Sequence, residues 1–84
     1  MNEVKIIWVD DEIDSLDSQI FFLQNKGYHV QKITNGSDAV EYVKNHDVDV
    51  VLLDESMPGL SGLQTLQQIK ATKNHLPIVL ITKN

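Results

Sequence analysis

The sequence predicts an α/β fold in which a parallel sheet carries helices on both faces. Three observations carry this expectation. Short, nearly continuous apolar runs rich in β-branched residues recur at Val4 to Val9, Val48 to Leu53 and Pro77 to Thr82, with a weaker fourth run at Tyr28 to Ile33. Such runs suit strands buried on both sides. The stretches between them have helical spacing, and strand and helix alternate along the whole chain, the signature of βαβ units.

Taken in order, Val4 to Val9 (VKIIWV) is the first strand, and Ile13, Leu16, Ile20 and Leu23 mark the inner face of the first helix. Gly27 stands where that helix should end, since glycine readily takes the left-handed backbone of a helix terminus. After the weaker strand, Asn35 or Ser37 can cap a second helix whose inner face is Ala39, Val40 and Val43. Val48 to Leu53 is the third strand. Ser61 can cap a third helix with Leu63, Leu66 and Ile69 facing inward, and Pro77 to Thr82 closes the series as a fourth strand. Trp8 is read as core or crevice wall. Of the pair Phe21 and Phe22, one is expected to cover the core and the other to meet a partner or a further C-terminal helix.

The bulk properties bound the function. At 84 residues the chain is one domain at most. Seven basic against twelve acidic residues leave a net charge of -5, which argues against nucleic acid or an anionic membrane as the partner of this segment. Without cysteine there is neither a disulfide nor a thiolate metal site. No apolar stretch approaches a signal or membrane-spanning length, so a cytoplasmic location is expected.

In parallel sheets ligands sit beyond the carboxyl ends of the strands, near the point where strand order reverses. The residues there are Asp10 and Asp11 after the first strand, Asp54 after the third and Thr82 at the end of the fourth. Converging carboxylates repel one another unless a cation or proton sits among them. Oxygen-only ligands, few in number, suit magnesium better than zinc. A metal beside an exposed carboxylate suggests phosphoryl transfer, with Asp54 attacking phosphorus and the Thr82 hydroxyl binding a phosphoryl oxygen. Taken alone, an Asp-Asp-Glu run is an ordinary solvated helix start. His29, His46 and His75 share no face and are read as surface residues.

WVDDE, LLDESMPGLSG and IVLIT, in this order and spacing, resemble the receiver domains of two-component response regulators over essentially all 84 residues. The resemblance implies a flavodoxin-like doubly wound sheet with strand order 2-1-3-4, lacking the last helix, strand and helix of a complete receiver. Residues 1–84 would then be the N-terminal part of the domain, with an open edge at the fourth strand and a bare sheet face, and unstable or associating when alone. It further implies that Asp54 accepts a phosphoryl group from a sensor histidine kinase and shares in holding the magnesium ion, with Asp11 a direct ligand. Asp10 would hold the ion mainly through water, Ser56 would offer its backbone carbonyl, and Thr82 would be the switch hydroxyl. Met57-Pro58-Gly59 and Gly62 are similar to the family's turn after the acceptor. Such a domain is not an enzyme with an external substrate; it catalyses only its own phosphorylation and dephosphorylation and switches an output module. Homodimers are compatible with this reading.

Two departures stand out. Lys83 follows Thr82 where the family has a small residue, and the family's lysine on a fifth strand lies outside these 84 residues. The combination of WVDDE, DESMPGLSGL and ITKN is most similar to PorX-type response regulators, whose receiver joins an alkaline-phosphatase-superfamily module. Two alternatives stay open. One is a pseudo-receiver that binds without being phosphorylated; the other is a magnesium-dependent phosphatase with an aspartyl phosphate intermediate.

Overall fold

The computed structural model describes residues 3–82. Lys83 and Asn84, which follow Thr82, lie outside the described residues. The chain runs β1 (Lys5–Val9), a 3-10 turn (Ile13–Leu16), α1 (Asp17–Asn25), β2 (His29–Ile33), α2 (Gly36–Asn45), β3 (Val50–Asp54), α3 (Gly62–Thr72) and β4 (Ile78–Ile81). All strand pairs are parallel and the sheet order is β2-β1-β3-β4, as expected for a flavodoxin-like fold. The chain steps from β1 outward to β2 and returns past β1 to β3. The reversal of order therefore falls between β1 and β3.

Alternation along the strands sorts the apolar residues into two cores, because successive side chains point to opposite faces. On one face Ile7, Val9, Val51 and Leu53 pack with Ala39, Val40 and Val43 of α2 and Ile69 of α3. On the other, Ile6 and Val30 pack with Ile13 and Ile20, flanked by the partly buried Trp8, Leu16, Leu23, Val50 and Leu52. The helices thus divide between the faces, one against two.

Local signals set the helix ends. Asn35 caps α2 by accepting a hydrogen bond from the Asp38 N–H at 2.8 Å. At α3 the Ser61 hydroxyl accepts from the Gln64 N–H at 3.1 Å while the Gln64 side chain accepts from the Ser61 N–H at 2.9 Å, a reciprocal capping box. Gly27 takes φ +96° just after α1, a conformation that penalises any side chain.

Three expectations are corrected. The residues Ile13–Leu16 form a 3-10 turn before α1 proper, because Ser15 bonds back to the Glu12 carbonyl through both its N–H and its hydroxyl. Leu63 does not face inward and is 55% exposed; the fully buried residue of that turn is Thr65. The Thr65 hydroxyl donates to the Ser61 carbonyl at 2.8 Å, so a polar group can sit in the core with its hydrogen bond made. The fourth strand is not buried on both faces. Ile78 and Leu80 pack against the larger core, whereas Val79 is 49% exposed on the face that α1 only partly covers.

Trp8 forms the wall of an apolar groove with Leu23, Leu52 and Phe22, and its indole Nε1 is buried without a hydrogen-bond partner among the described residues. Phe21 and Phe22 are both more than half exposed, so neither covers the core; Phe22 borders this groove. The two inward assignments can be separated by stability. Leu53→Ala should lower the unfolding free energy by about 2–5 kcal/mol in urea titrations, whereas Leu63→Ala should cost under about 1 kcal/mol.

Candidate metal centre

The register of the sheet creates the site. Val9 pairs with Leu53 and with Ile33, so the next residue of β1, Asp10, stands abreast of Asp54 at the end of β3. Neighbouring strands are about 4.8 Å apart, which sets the scale on which the two carboxylates meet. The backbone continues the alignment past the strand ends, since the Asp10 N–H donates to the Ile33 carbonyl and the Glu55 N–H to the Ile81 carbonyl.

Both buried carboxylates are oriented in the same way. One Asp10 oxygen accepts from the Glu12 N–H at 2.8 Å, and one Asp54 oxygen accepts from the Ser56 N–H at 3.3 Å. Each chain therefore turns just after its acid, holding it through the amide two residues on. Asp10 is 1% exposed and Asp54 3%, while Asp11 is open to solvent.

Asp10, Asp11 and Asp54 each offer an oxygen atom within 4.8 Å of the others, the one group of three or more potential metal-ligating residues among the described residues. An octahedral magnesium shell with ligands near 2.1 Å places oxygens about 3 Å apart in neighbouring positions and about 4.2 Å apart in opposite ones. The observed spread fits an ion held directly by part of the set and through water by the rest. Acid clusters are common on protein surfaces, but two of these three are buried, and burying carboxylates together is unfavourable without compensating charge. The donor set is all oxygen, as a hard divalent cation requires.

A cleft of about 570 Å³ opens above the cluster, lined by Asp11, Glu12, Asp54, Ser56, Met57 and Pro58. Met57 is buried beneath the loop and anchors it to the larger core. Gly62 completes the arrangement from below. A Cβ there would lie 2.5 Å from the Asp54 carbonyl oxygen and 2.7 Å from the Glu55 Cα, so α3 can start against the strand end only without a side chain.

Of the residues singled out from sequence, Asp10, Asp11 and Asp54 come together, and Ser56 lines the same cleft. Thr82 follows Ile81, the backbone partner of Asp54, and is exposed at the end of β4; it is not among the residues lining the cleft. Glu12, which in the sequence is only part of an acidic helix start, borders the cleft, and its amide orients Asp10. The signal available was its position directly after Asp11. His29, His46 and His75 are exposed and form no metal group; His46 instead stacks on Tyr42 at 3.9 Å.

The model of the response regulator receiver domain family matches residues 6–84. The chain is 38% identical over 78 residues to the regulatory protein VanRc of Enterococcus gallinarum, covering 93% of this chain and 33% of that protein. It is 37% identical over 81 residues to the phosphoglycerate transport system transcriptional regulatory protein PgtA of Salmonella typhimurium, covering 96% of this chain and 20% of that one. The chain therefore spans a third or less of these curated relatives. Among solved structures, the response regulator TrrA of Thermotoga maritima, in complex with Mg²⁺ and BeF, superposes with a TM-score of 0.86 at 34% identity, over 94% of this chain and 69% of that one. A CheY-like receiver from Methanospirillum hungatei shares the fold with a TM-score of 0.91 at 22% identity, over 99% of this chain and 66% of that one.

Two substitutions test the geometry. Asp11→Asn should weaken magnesium binding by about tenfold, because affinity follows the number of charged ligands; a magnesium titration of the Trp8 fluorescence measures it. Gly62→Ala should cost roughly 1–3 kcal/mol in stability as the loop yields to the new methyl group, and the same titration should show weaker binding.

Proposed function

The chain belongs to the response regulator receiver domain family, and from this premise we propose that it accepts a phosphoryl group on Asp54 in a magnesium-dependent reaction. The observation that carries the proposal is the convergence of Asp10, Asp11 and Asp54 at the reversal of strand order, beneath an open cleft. Asp10, Asp11 and Asp54 would hold the ion, Asp11 directly and Asp10 mainly through water, with the Ser56 backbone carbonyl as a further ligand. A divalent ion bound there supplies positive charge for the phosphoryl oxygens.

The roles of the chain's own residues follow from placement. Asp54 is held by the Ser56 N–H through one oxygen, leaving the carboxylate fixed as it faces the cleft. A fixed nucleophile lowers the entropic part of the barrier. Met57 and Pro58 form the cleft wall beside it. Thr82, at the end of the neighbouring strand, is the hydroxyl that binds a phosphoryl oxygen after transfer. The domain catalyses only its own phosphorylation and dephosphorylation.

Receivers of two-component systems pair with histidine kinases and output domains, and we assign this chain a sensor histidine kinase as donor. Residues 1–84 form the N-terminal part of the receiver; the solved receivers it matches extend beyond the matched portion. The output module lies elsewhere in the natural protein, and the WVDDE, DESMPGLSGL and ITKN combination favours the PorX type with its alkaline-phosphatase-superfamily module. A cytoplasmic location accords with the described helices, none of which is long and apolar enough to cross a membrane. A homodimer is compatible with this assignment.

The test uses the complete natural protein with magnesium and acetyl phosphate. Intact mass should rise by one phosphoryl group, and the adduct should vanish in Asp54→Asn and when the metal is chelated. An unmodified wild-type protein under these conditions would point instead to a receiver that binds without being phosphorylated.

A further inference from the structure

The loop after Asp54 closes on itself at the strand end, because the Gly62 N–H donates to the Glu55 carbonyl at 3.0 Å. Between these two residues it carries Ser56, Met57 and Pro58 along the cleft and ends at Leu60 and Ser61. Its outer end rests on α2. A Cβ at Gly36, the first residue of that helix, would lie 3.0 Å from the Leu60 Cβ and 3.2 Å from the Thr65 Cβ, and would collide with the Thr65 hydroxyl. Thr65 is fully buried, and its N–H and its hydroxyl both donate to the Ser61 carbonyl, at 2.9 and 2.8 Å. The side chain that α2 touches is thus tied to the residue that ends the loop.

These contacts form one series without slack. Gly36 meets Thr65 and Leu60, Thr65 holds Ser61, and Gly62 lies against the Asp54 carbonyl and the Glu55 Cα. At the other end α2 is fixed, since Ala39 and Val43 are removed from solvent in the larger core. Close-packed interiors pass a displacement on, because they hold no voids to absorb it. One methyl group added at Gly36 must therefore move either the anchored helix or the loop. The loop, exposed at Glu55, Ser56, Pro58 and Gly59, gives first.

We propose that Gly36 and Thr65 are positioning residues for the metal centre, seating the loop after Asp54 against α2 and so fixing where Ser56 and the Asp54 carboxylate stand at the cleft. This inference rests on the reading of Asp54 as a magnesium-dependent phosphoacceptor. Neither residue lines the cleft, so both act through the loop. Its position reaches the carboxylate through the Ser56 N–H, which holds one Asp54 oxygen at 3.3 Å. Gly36→Ala forces Thr65 and Leu60 away from α2, whereas Thr65→Ala removes the bearing and opens a gap. Together the new methyl group fills the space that the threonine side chain leaves. Each single change harms the site and the pair mends it, a coupling that requires a shared contact.

The experiment uses the complete natural protein and two readouts: a magnesium titration of the Trp8 fluorescence, and the rate of adduct formation from acetyl phosphate at saturating magnesium. Both are taken at a temperature where circular dichroism shows the variants folded. Gly36→Ala should weaken magnesium binding about fivefold and slow adduct formation about tenfold, and Thr65→Ala should weaken binding about threefold. The double variant should return to within about twofold of wild type. Val43→Ala, which truncates a buried side chain further along α2, should lower stability and leave the magnesium constant unchanged. Wild-type magnesium constants in both single variants overturn the proposal, as does an equal weakening in Val43→Ala or a double variant in which the two losses simply add. Should Gly36→Ala fail to fold, a wild-type magnesium constant in Thr65→Ala overturns it alone. A wild-type protein that binds magnesium without forming an adduct refutes the phosphoacceptor reading, and the magnesium constants then decide this inference.

Discussion

Mutual repulsion among three carboxylates is the constraint around which this domain is organised. With oxygens within 4.8 Å of one another, ionised carboxylates repel. Amide hydrogen bonds from Glu12 and Ser56 offset part of this. The backbone holds the acids side by side. It does so through the register of β1 and β3 and through the two tight turns after Asp10 and Asp54. A cation among converging carboxylates relieves such repulsion, and the all-oxygen donor set suits a hard divalent ion.

That constraint explains how the two cores are used. The face carrying α2 and α3 is densely packed, with Val9, Val43, Val51, Leu53 and Ile69 all removed from solvent. It is also the face that supports the loop after Asp54, through Met57 and through the start of α3. The opposite face, under α1, is closed around Ile6, Ile13, Ile20 and Val30 but loosens toward Leu52 and Val79.

Much of this was legible before the structure. The strands could be read because their apolar runs are short and β-branched, and the acids at their ends follow from the rule that parallel sheets bind at their carboxyl edges. Asn35 and Ser61 declared two helix starts by chemistry alone. Periodicity failed at α3, where Leu63 fits the helical stripe but belongs to the first turn, and where Thr65 satisfies its hydroxyl within its own helix. Hydrophobicity could not rank a threonine above a leucine for burial. The part played by Glu12 was hidden for a different reason. An acid after two acids looks like a helix start, and only the folded turn shows that its amide donates to Asp10.

Gly62 has a mechanical corollary. Its N–H donates to the Glu55 carbonyl at 3.0 Å, and its missing side chain lets the first turn of α3 rest directly on the strand end. No soft layer of side chains separates the two. A small displacement of the backbone at positions 54 and 55 is therefore handed to the helix as a tilt, and eleven residues make a rod roughly 16 Å long. Its far end, at Thr72, travels further than its base, so the glycine works as the fulcrum of a lever.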